Sequence, residues 1–329
     1  MHSTQLRNSF ISSFEPVKKF LIKSSAFAIP FIFLFSLVAI VDSYNYFNFF
    51  KIIPIEVKQK ISYKLNYALW KLVEYRRNPY PNILLGDSRM NRIDPQEIKN
   101  ISGEDYYNFS YGGGTLEEIC KTFWIADKIS DLKNVYVGIN FNLYNMSKSY
   151  DRVTGATAVL ENPMLYIINR DVLKATFRIL WDLLLNKNSD IEKPPMSREA
   201  FWDYQLDVTA RRNYATYTYP NSLHKELQKI VKYRREKGIN FFFVILPTHV
   251  SLQDKVQAFG LVKEYDKFLS DLKELGIVYN FNYGNEFTQN RDNFIDPYHL
   301  RKEAISSLIL EIWGGENKYA IIFKPNYMR

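Results

Sequence analysis

The chain has 329 residues, 47% of them hydrophobic, with 24 Tyr and 24 Phe. That is enough to bury the core of one large α/β domain or two small ones, and it excludes a disordered chain. A single cysteine, Cys120, excludes an intrachain disulfide and cysteine-based metal sites, and the net charge of +8 favours anionic surroundings such as lipid headgroups or an acidic polymer. A diffuse lysine excess also serves solubility. No zinc finger, helix-turn-helix or RNA-binding motif accompanies the charge, so nucleic acid is not expected as a partner.

Residues 1–23 carry Arg7, Lys18, Lys19 and Lys23 against Glu15. That balance predicts a cytoplasmic N-terminus, although Lys51, Lys58 and Lys60 follow on the other side. The next stretch, SSAFAIPFIFLFSLVAIV over residues 24–41, has no charged side chain. It approaches the roughly 20 apolar residues needed to cross a bilayer core. We read residues 24–43 as a single-pass anchor in a bacterial cytoplasmic membrane, with the bulk of the chain outside the cytoplasm. Tyr44, Tyr46 and Phe47 are the expected interfacial belt. A cleaved signal peptide would need a shorter apolar region and a small-residue cleavage site, which SLVAIVDSYN does not offer. A buried core helix is the third reading.

Residues 44–80 form the expected juxtamembrane linker. Ile53, Val57, Ile61, Leu65 and Leu69 recur about every four residues, which predicts an amphipathic helix that RRNPYPN then stops. From residue 81 to 313, strands and helices alternate. Strands are predicted at 82–86, 106–110, 134–141, 240–246 and 276–281; the runs at 134–141 and 240–246 are nearly continuous and apolar, as in strands covered on both faces. A helix starts at Thr115, where Thr115 and Glu118 fit a capping box, and others are predicted at about 221–237, 260–275 and 299–313. This is a doubly wound α/β pattern. The interval 145–220 interrupts it with a helix near 165–186 and aromatic loops, an insertion expected to shape access to the strand ends. Residues 314–329 are expected to form a C-terminal tail.

Ligands of a parallel α/β sheet bind beyond the carboxyl ends of its strands. Gly86, Asp87 and Ser88 fall there, as do Gly112 to Gly114, Asn140, Asn142, Thr248 and His249, while Asp296 and His299 precede the last helix. Taken alone, Ser88 reads equally as a nucleophile or as the N-cap of the next helix, and His249 as a structural or substrate-lining residue. Together the set suits hydrolysis. A serine hydroxyl needs a base, for which His299 is the candidate, and Asp296 can orient the imidazole. The backbone N–H of Ser88, a glycine N–H from 112–114 and the Asn140 amide are candidate oxyanion donors. His2, His224, His249 and His299 are too scattered for a metal motif, and the glycine run lacks both common phosphate-loop patterns, so neither metal nor cofactor is expected.

GDSR at 86–89, NFSYGGGT at 108–115, GIN at 138–140 and DPYH at 296–299 resemble, in that order, the sequence blocks of SGNH (GDSL-type) hydrolases. The resemblance implies a three-layer α/β/α, flavodoxin-like parallel sheet, with Ser88, Asp296 and His299 catalytic and Ser88, Gly113 and Asn140 lining the oxyanion hole. Two positions depart from the family pattern: Arg89 stands where leucine is usual, and Phe141 where aspartate is usual. The second keeps Asn142 open as an alternative to Asn140. Arg89 and ILPTH at 245–249 are similar to a membrane-anchored branch that includes teichoic acid D-alanine transfer proteins and exopolysaccharide O-acetyltransferases. That branch implies an esterase or acyltransferase acting on acylated envelope glycans or related polymers, with the bilayer and a membrane-bound acyltransferase as partners. Arg89, Asn142 and His249 are then substrate-lining candidates. The rival expectation is a catalytically inactive protein of the same fold that binds or assembles envelope polysaccharide.

Overall fold

The computed structural model describes residues 3–185 and 196–325. The chain forms two compact units, Met1–Val73 with Ala158–Ser189 and Glu74–Thr157 with Asp190–Arg329. The expected insertion is therefore divided, because its middle belongs with the N-terminal segment.

In the first unit one helix runs from Ser3 to Val41. Its portion Pro16–Val41, 26 residues, is long and apolar enough to cross a membrane, and only 11% of its most apolar window is buried. A core helix of a globular protein would be mostly covered, so this one is not a core helix. The helix is longer than the expected span and continues back through the basic segment. It ends where Asp42 adopts a left-handed conformation, φ +44°, which aspartate tolerates better than most residues. The Asp42 carboxylate accepts the N–H groups of Tyr46, Phe47 and Asn48 and the hydroxyl of Tyr166. Tyr46 stacks on Tyr166 at 4.3 Å, and Tyr44 and Tyr46 are buried. They are therefore not the lipid-facing belt expected from sequence; Phe49 and Phe50 just beyond them are exposed.

The amphipathic stretch that follows is two helices, Ile55–Leu65 and Tyr67–Arg77. Asn66 breaks them apart, its Oδ1 accepting the N–H of Leu69 and its Nδ2 donating to Asp171. The predicted helix near 165–186 is likewise interrupted, at Asn169, into Pro163–Ile168 and Arg170–Leu185.

The second unit is α/β, built on a mostly parallel sheet. Its strands are β1 (Asn82–Leu85), β2 (Tyr107–Asn108), β3 (Asn134–Gly138), β4 (Asn240–Ile245) and β5 (Ile277–Asn280). A two-stranded ribbon, β6 (Phe294–Asp296) and β7 (His299–Leu300), stands apart, and β8 (Ile321–Phe323) completes the main sheet. The order is β2-β1-β3-β4-β5-β8, with the first five parallel and β8 antiparallel to β5. Side chains alternate in direction along each strand. Leu84, Tyr136 and Val244 thus join Ile98, Leu308 and Ile309 in one core, while Phe241 packs edge-on against Phe123 of the helix Leu116–Ile129. The expected C-terminal tail includes β8. Glu311 Oε2 accepts the N–H groups of Lys318, Tyr319 and Ala320 and turns the chain back toward β5.

Candidate active site

β1 ends in a sharp turn that leaves no room for side chains on its inner wall. A Cβ on Gly86 would sit 2.6 Å from Met90 Cβ and 3.0 Å from the Gly138 carbonyl, so glycine is required at φ +159°. After it the chain forms a short 3-10 turn, Met90–Arg92, and the next α-helix, Pro95–Ser102, is capped by Asp94. Ser88 caps neither element. Its hydroxyl lies 2.7 Å from His299 Nε2.

His299 and Asp296 face each other across the ribbon, in register, around the two-residue turn Pro297–Tyr298. Opposed strand residues hold their Cβ atoms about 4.5–5.5 Å apart, which brings carboxylate to imidazole. His299 Nδ1 lies 2.9 Å from Asp296 Oδ2 and 3.0 Å from Oδ1. An ionised carboxylate can only accept, so Nδ1 carries the proton and Nε2 is left to accept from Ser88. Asp296 is buried and also accepts the N–H of Tyr298 at 2.9 Å.

The glycine segment lies beside this row. Gly114 approaches the β1 turn so closely that a Cβ would meet the Gly86 carbonyl at 3.0 Å, and its N–H is bonded to the Tyr111 carbonyl. Among the described residues, no partner takes the N–H of Gly113 or of Ser88. The segment is held from outside by Arg152, whose guanidinium donates to the Gly112 and Gly113 carbonyls and pairs with the buried Glu118 carboxylate at 2.6 Å. Burial pushes the Glu118 carboxyl up to about 7, against hydrogen bonds from the backbone of Arg152 and Thr115.

Asn140 and Asn142 go separate ways after β3. Asn140 is buried and donates Nδ2 to the Leu246 carbonyl at 2.7 Å, with no part in the cleft wall. Phe141 is anchored in an aromatic cluster, stacking on Tyr217 at 4.9 Å, and Leu143 N–H closes a turn on the Asn140 carbonyl. That turn aims Asn142 at the cleft. Of the two amides, that of Asn142 faces the cleft, while that of Asn140, the residue expected to line an oxyanion hole, is turned into the core. Arg89 fixes the amide: its Nη2 donates to Asn142 Oδ1 at 2.7 Å, which leaves Nδ2 as the donor for the cleft.

Arg89 itself is buried and grips Asp87 through Nε, at 3.2 and 3.1 Å, and through Nη2, at 2.5 Å. Burial alone would lower its pKa, but the Asp87 charge and hydrogen bonds prevail and raise it. Arg89 is thus a neutralised strut that also lines the cleft. His249 is not at the cleft, contrary to its expected lining role. It caps the helix Val250–Ala258, its ring lies edge-on to Trp202 and Phe294, and its N–H supports the Pro297 carbonyl of the ribbon turn.

The cleft, about 540 Å³, is lined around Ser88 and His299 by Gly113, Asn142, Lys148, Gln205, Thr209 and Asn213, among others. Sequence reasoning missed the last four. Lys148 follows β3 in the insertion, where burial first and Arg212 second lower its pKa. Gln205 and Thr209 bound a π-helical turn, Gln205–Thr209, of a kind often found at functional sites. Gln205 is buried, and its Oε1 has no partner among the described residues. Tyr298, inside the DPYH block, also lines the cleft; burial pushes its phenol up to about 12, and its oxygen accepts from Asn213.

No family model matches the chain, and no curated protein does. A solved structure described as that of "a putative platelet activating factor from Streptococcus pneumonia" is similar with a TM-score of 0.36 at 13% identity, covering 78% of this chain and 96% of that one. A likeness of that size carries no conclusion about activity.

Proposed function

We propose that the protein is a membrane-anchored serine esterase or O-acyltransferase that works on acyl esters of cell-envelope glycans through an acyl-enzyme on Ser88. One observation carries the reading: Ser88, His299 and Asp296 form an unbroken hydrogen-bonded row, 2.7 Å and then 2.9 Å, opening into a polar cleft. Ser88 Oγ attacks the ester carbonyl while its proton passes to His299 Nε2, and Asp296 stabilises the imidazolium. The N–H groups of Ser88 and Gly113 and the Asn142 amide meet the oxyanion. His299 returns the proton to the leaving alkoxide, and water or a sugar hydroxyl then takes the acyl group.

The lining favours a polyhydroxylated substrate with a short acyl group. Among the described lining residues Leu143 is the one aliphatic side chain, whereas Gln205, Thr209, Asn213 and Ser147 offer hydrogen bonds. Gln205 Oε1, buried without a partner, suits a hydroxyl donor, because an unsatisfied buried acceptor is costly.

The 2-1-3-4-5 parallel order, with side chains of β4 packed in opposite directions, supports the three-layer flavodoxin-like arrangement of SGNH hydrolases. The N-terminal helix supports a single-pass anchor, and the basic residues before it support a catalytic unit outside the cytoplasm.

A fluorophosphonate probe applied to the full chain in detergent tests the chemistry. Labelling is expected, and its loss in Ser88→Ala; a chain that stays unlabelled, or labels equally in the variant, is a binding protein rather than an enzyme. Protease treatment of intact cells tests the topology. Protection of residues 74–329 would overturn the outward orientation.

A further inference from the structure

The helix Arg170–Leu185 has two apolar faces, and among the described residues only one is covered. Val172, Ala175, Thr176 and Ile179 are buried at helical spacing. They face the residues where the N-terminal helix ends: Ser43 Oγ donates to the Val172 carbonyl at 3.3 Å and Thr176 Oγ1 reaches Ser43 Oγ at 3.4 Å. The other face carries Phe177, Trp181 and Leu184, exposed by 52%, 61% and 80%. At 3.6 residues per turn these three fall within about 60° of one another. Lys174 and Arg178 border the stripe, and Leu185 extends it.

Such a stripe is unusual on a water-facing helix, since contiguous exposed apolar patches mark interaction sites. Its chemistry selects among partners. Aromatic side chains bordered by Lys and Arg are the pattern of helices that lie in the boundary between headgroups and acyl chains, where the ring finds apolar surroundings and the cation finds phosphate. Its position agrees. The stripe belongs to the same compact unit as the helix Ser3–Val41, whose own apolar surface is exposed and whose last residues the Arg170–Leu185 helix packs against. Phe49, Phe50 and Ile52, in the segment leaving that helix, are exposed as well.

We infer that Phe177, Trp181 and Leu184 insert into the leaflet in which the N-terminal helix ends, making Arg170–Leu185 a second, monotopic membrane contact. The inference rests on reading Pro16–Val41 as a membrane span. Its occupant is the lipid of that leaflet, attracted by Lys174 when anionic. The insertion in the α/β sequence thereby gains a purpose that has nothing to do with the cleft: part of it returns to the membrane.

The test uses the full chain reconstituted into vesicles of phosphatidylcholine and phosphatidylglycerol that contain acyl-brominated phosphatidylcholine. Trp181 is one of five tryptophans, and Trp70 and Trp202 are buried. Wild-type emission is expected to be quenched by bromolipid, with most of the quenched fraction missing in Trp181→Phe, which keeps an apolar ring. Protein that fails to float with the vesicles would refute the anchor itself. Floating protein whose bromolipid quenching is the same in Trp181→Phe would refute the insertion alone. A Trp181 reached by aqueous acrylamide instead would also refute it, as would one shielded from both quenchers, which is the mark of a protein partner.

Discussion

Replacing Asn142 and Asn140 by alanine, one at a time, separates the cleft's donor from its neighbour in the core. Asn142→Ala removes the Nδ2 donor that Arg89 holds toward the cleft. If the proposed mechanism holds, an oxyanion donor at this place contributes roughly 3–4 kcal/mol to the transition state, so kcat/KM on p-nitrophenyl acetate is expected to fall about 10²–10³-fold. Folding should suffer little, because Arg89 keeps its bonds to Asp87. Asn140→Ala works the other way. It deprives the buried Leu246 carbonyl of a 2.7 Å bond, a loss of about 1–3 kcal/mol, but also removes Asn140 Oδ1, which is buried without a partner among the described residues. The opposed terms leave about 1 kcal/mol, or ~2–4 °C in Tm for a unit of this size, with turnover changed only slightly. Rates per active site, counted by fluorophosphonate titration, and thermal unfolding measure both quantities. A 100-fold loss in Asn140→Ala at unchanged Tm, with Asn142→Ala near wild type, would refute the assignment.

Arg89→Met strands a carboxylate that is 8% exposed, and breaking such a buried pair costs about 3–5 kcal/mol; the double variant Asp87→Asn/Arg89→Met should unfold at higher urea than Arg89→Met alone. Gly114→Ala presses a Cβ to 3.0 Å from the Gly86 and Tyr111 carbonyls, neither of which can swing aside, and should cost ~1–3 kcal/mol in urea unfolding. Gly113→Ala meets no atom within 4 Å and loses only about 1 kcal/mol for its left-handed φ. Burial lowers the pKa values of His224 and His249. A folded-state value below the unfolded one, about 6.5, gives stability that is present above that pH and lost as pH falls through the folded value. The two histidines therefore pull Tm down on acidification below about pH 6.5, against Glu118, whose carboxyl held at about 7 pulls it up, so the difference in Tm between wild type and His224→Gln isolates the His224 part of the slope.

The sheet was legible because fully buried parallel strands leave long apolar runs, as at β3 and β4. β8 was not: Ile321–Phe323 is three residues on a sheet edge, too short for periodicity to distinguish from a tail. The break at Asn66 was invisible for a different reason. Apolar residues recur every four positions on both sides of it, so the pattern runs straight through the cap. In the site, the order of the short blocks was enough to draw Ser88, Gly113, Asp296 and His299 together on paper. The choice between Asn140 and Asn142 depends on which way a single turn points, and that is decided by Phe141 finding Tyr217 and Phe268. Gln205 carried no signal, since a π-helical turn differs from an α-helical one by a backbone register that composition does not encode.

The Asp42 hub has a mechanical consequence. A lone apolar helix adapts to bilayer thickness by sliding along the membrane normal, tilting, or letting lysines reach to the headgroups. If the helix spans a bilayer as proposed, its C-terminal end cannot slide, because moving one turn inward would pull a carboxylate away from Tyr166 and three backbone donors and carry it into hydrocarbon. Any mismatch must be absorbed at the opposite end, where Lys18, Lys19 and Lys23 have long, flexible side chains. On that proposed span the depth of the first unit would be set from the Asp42 side, and a thicker or thinner membrane would change the tilt of the helix rather than the height at which the chain emerges.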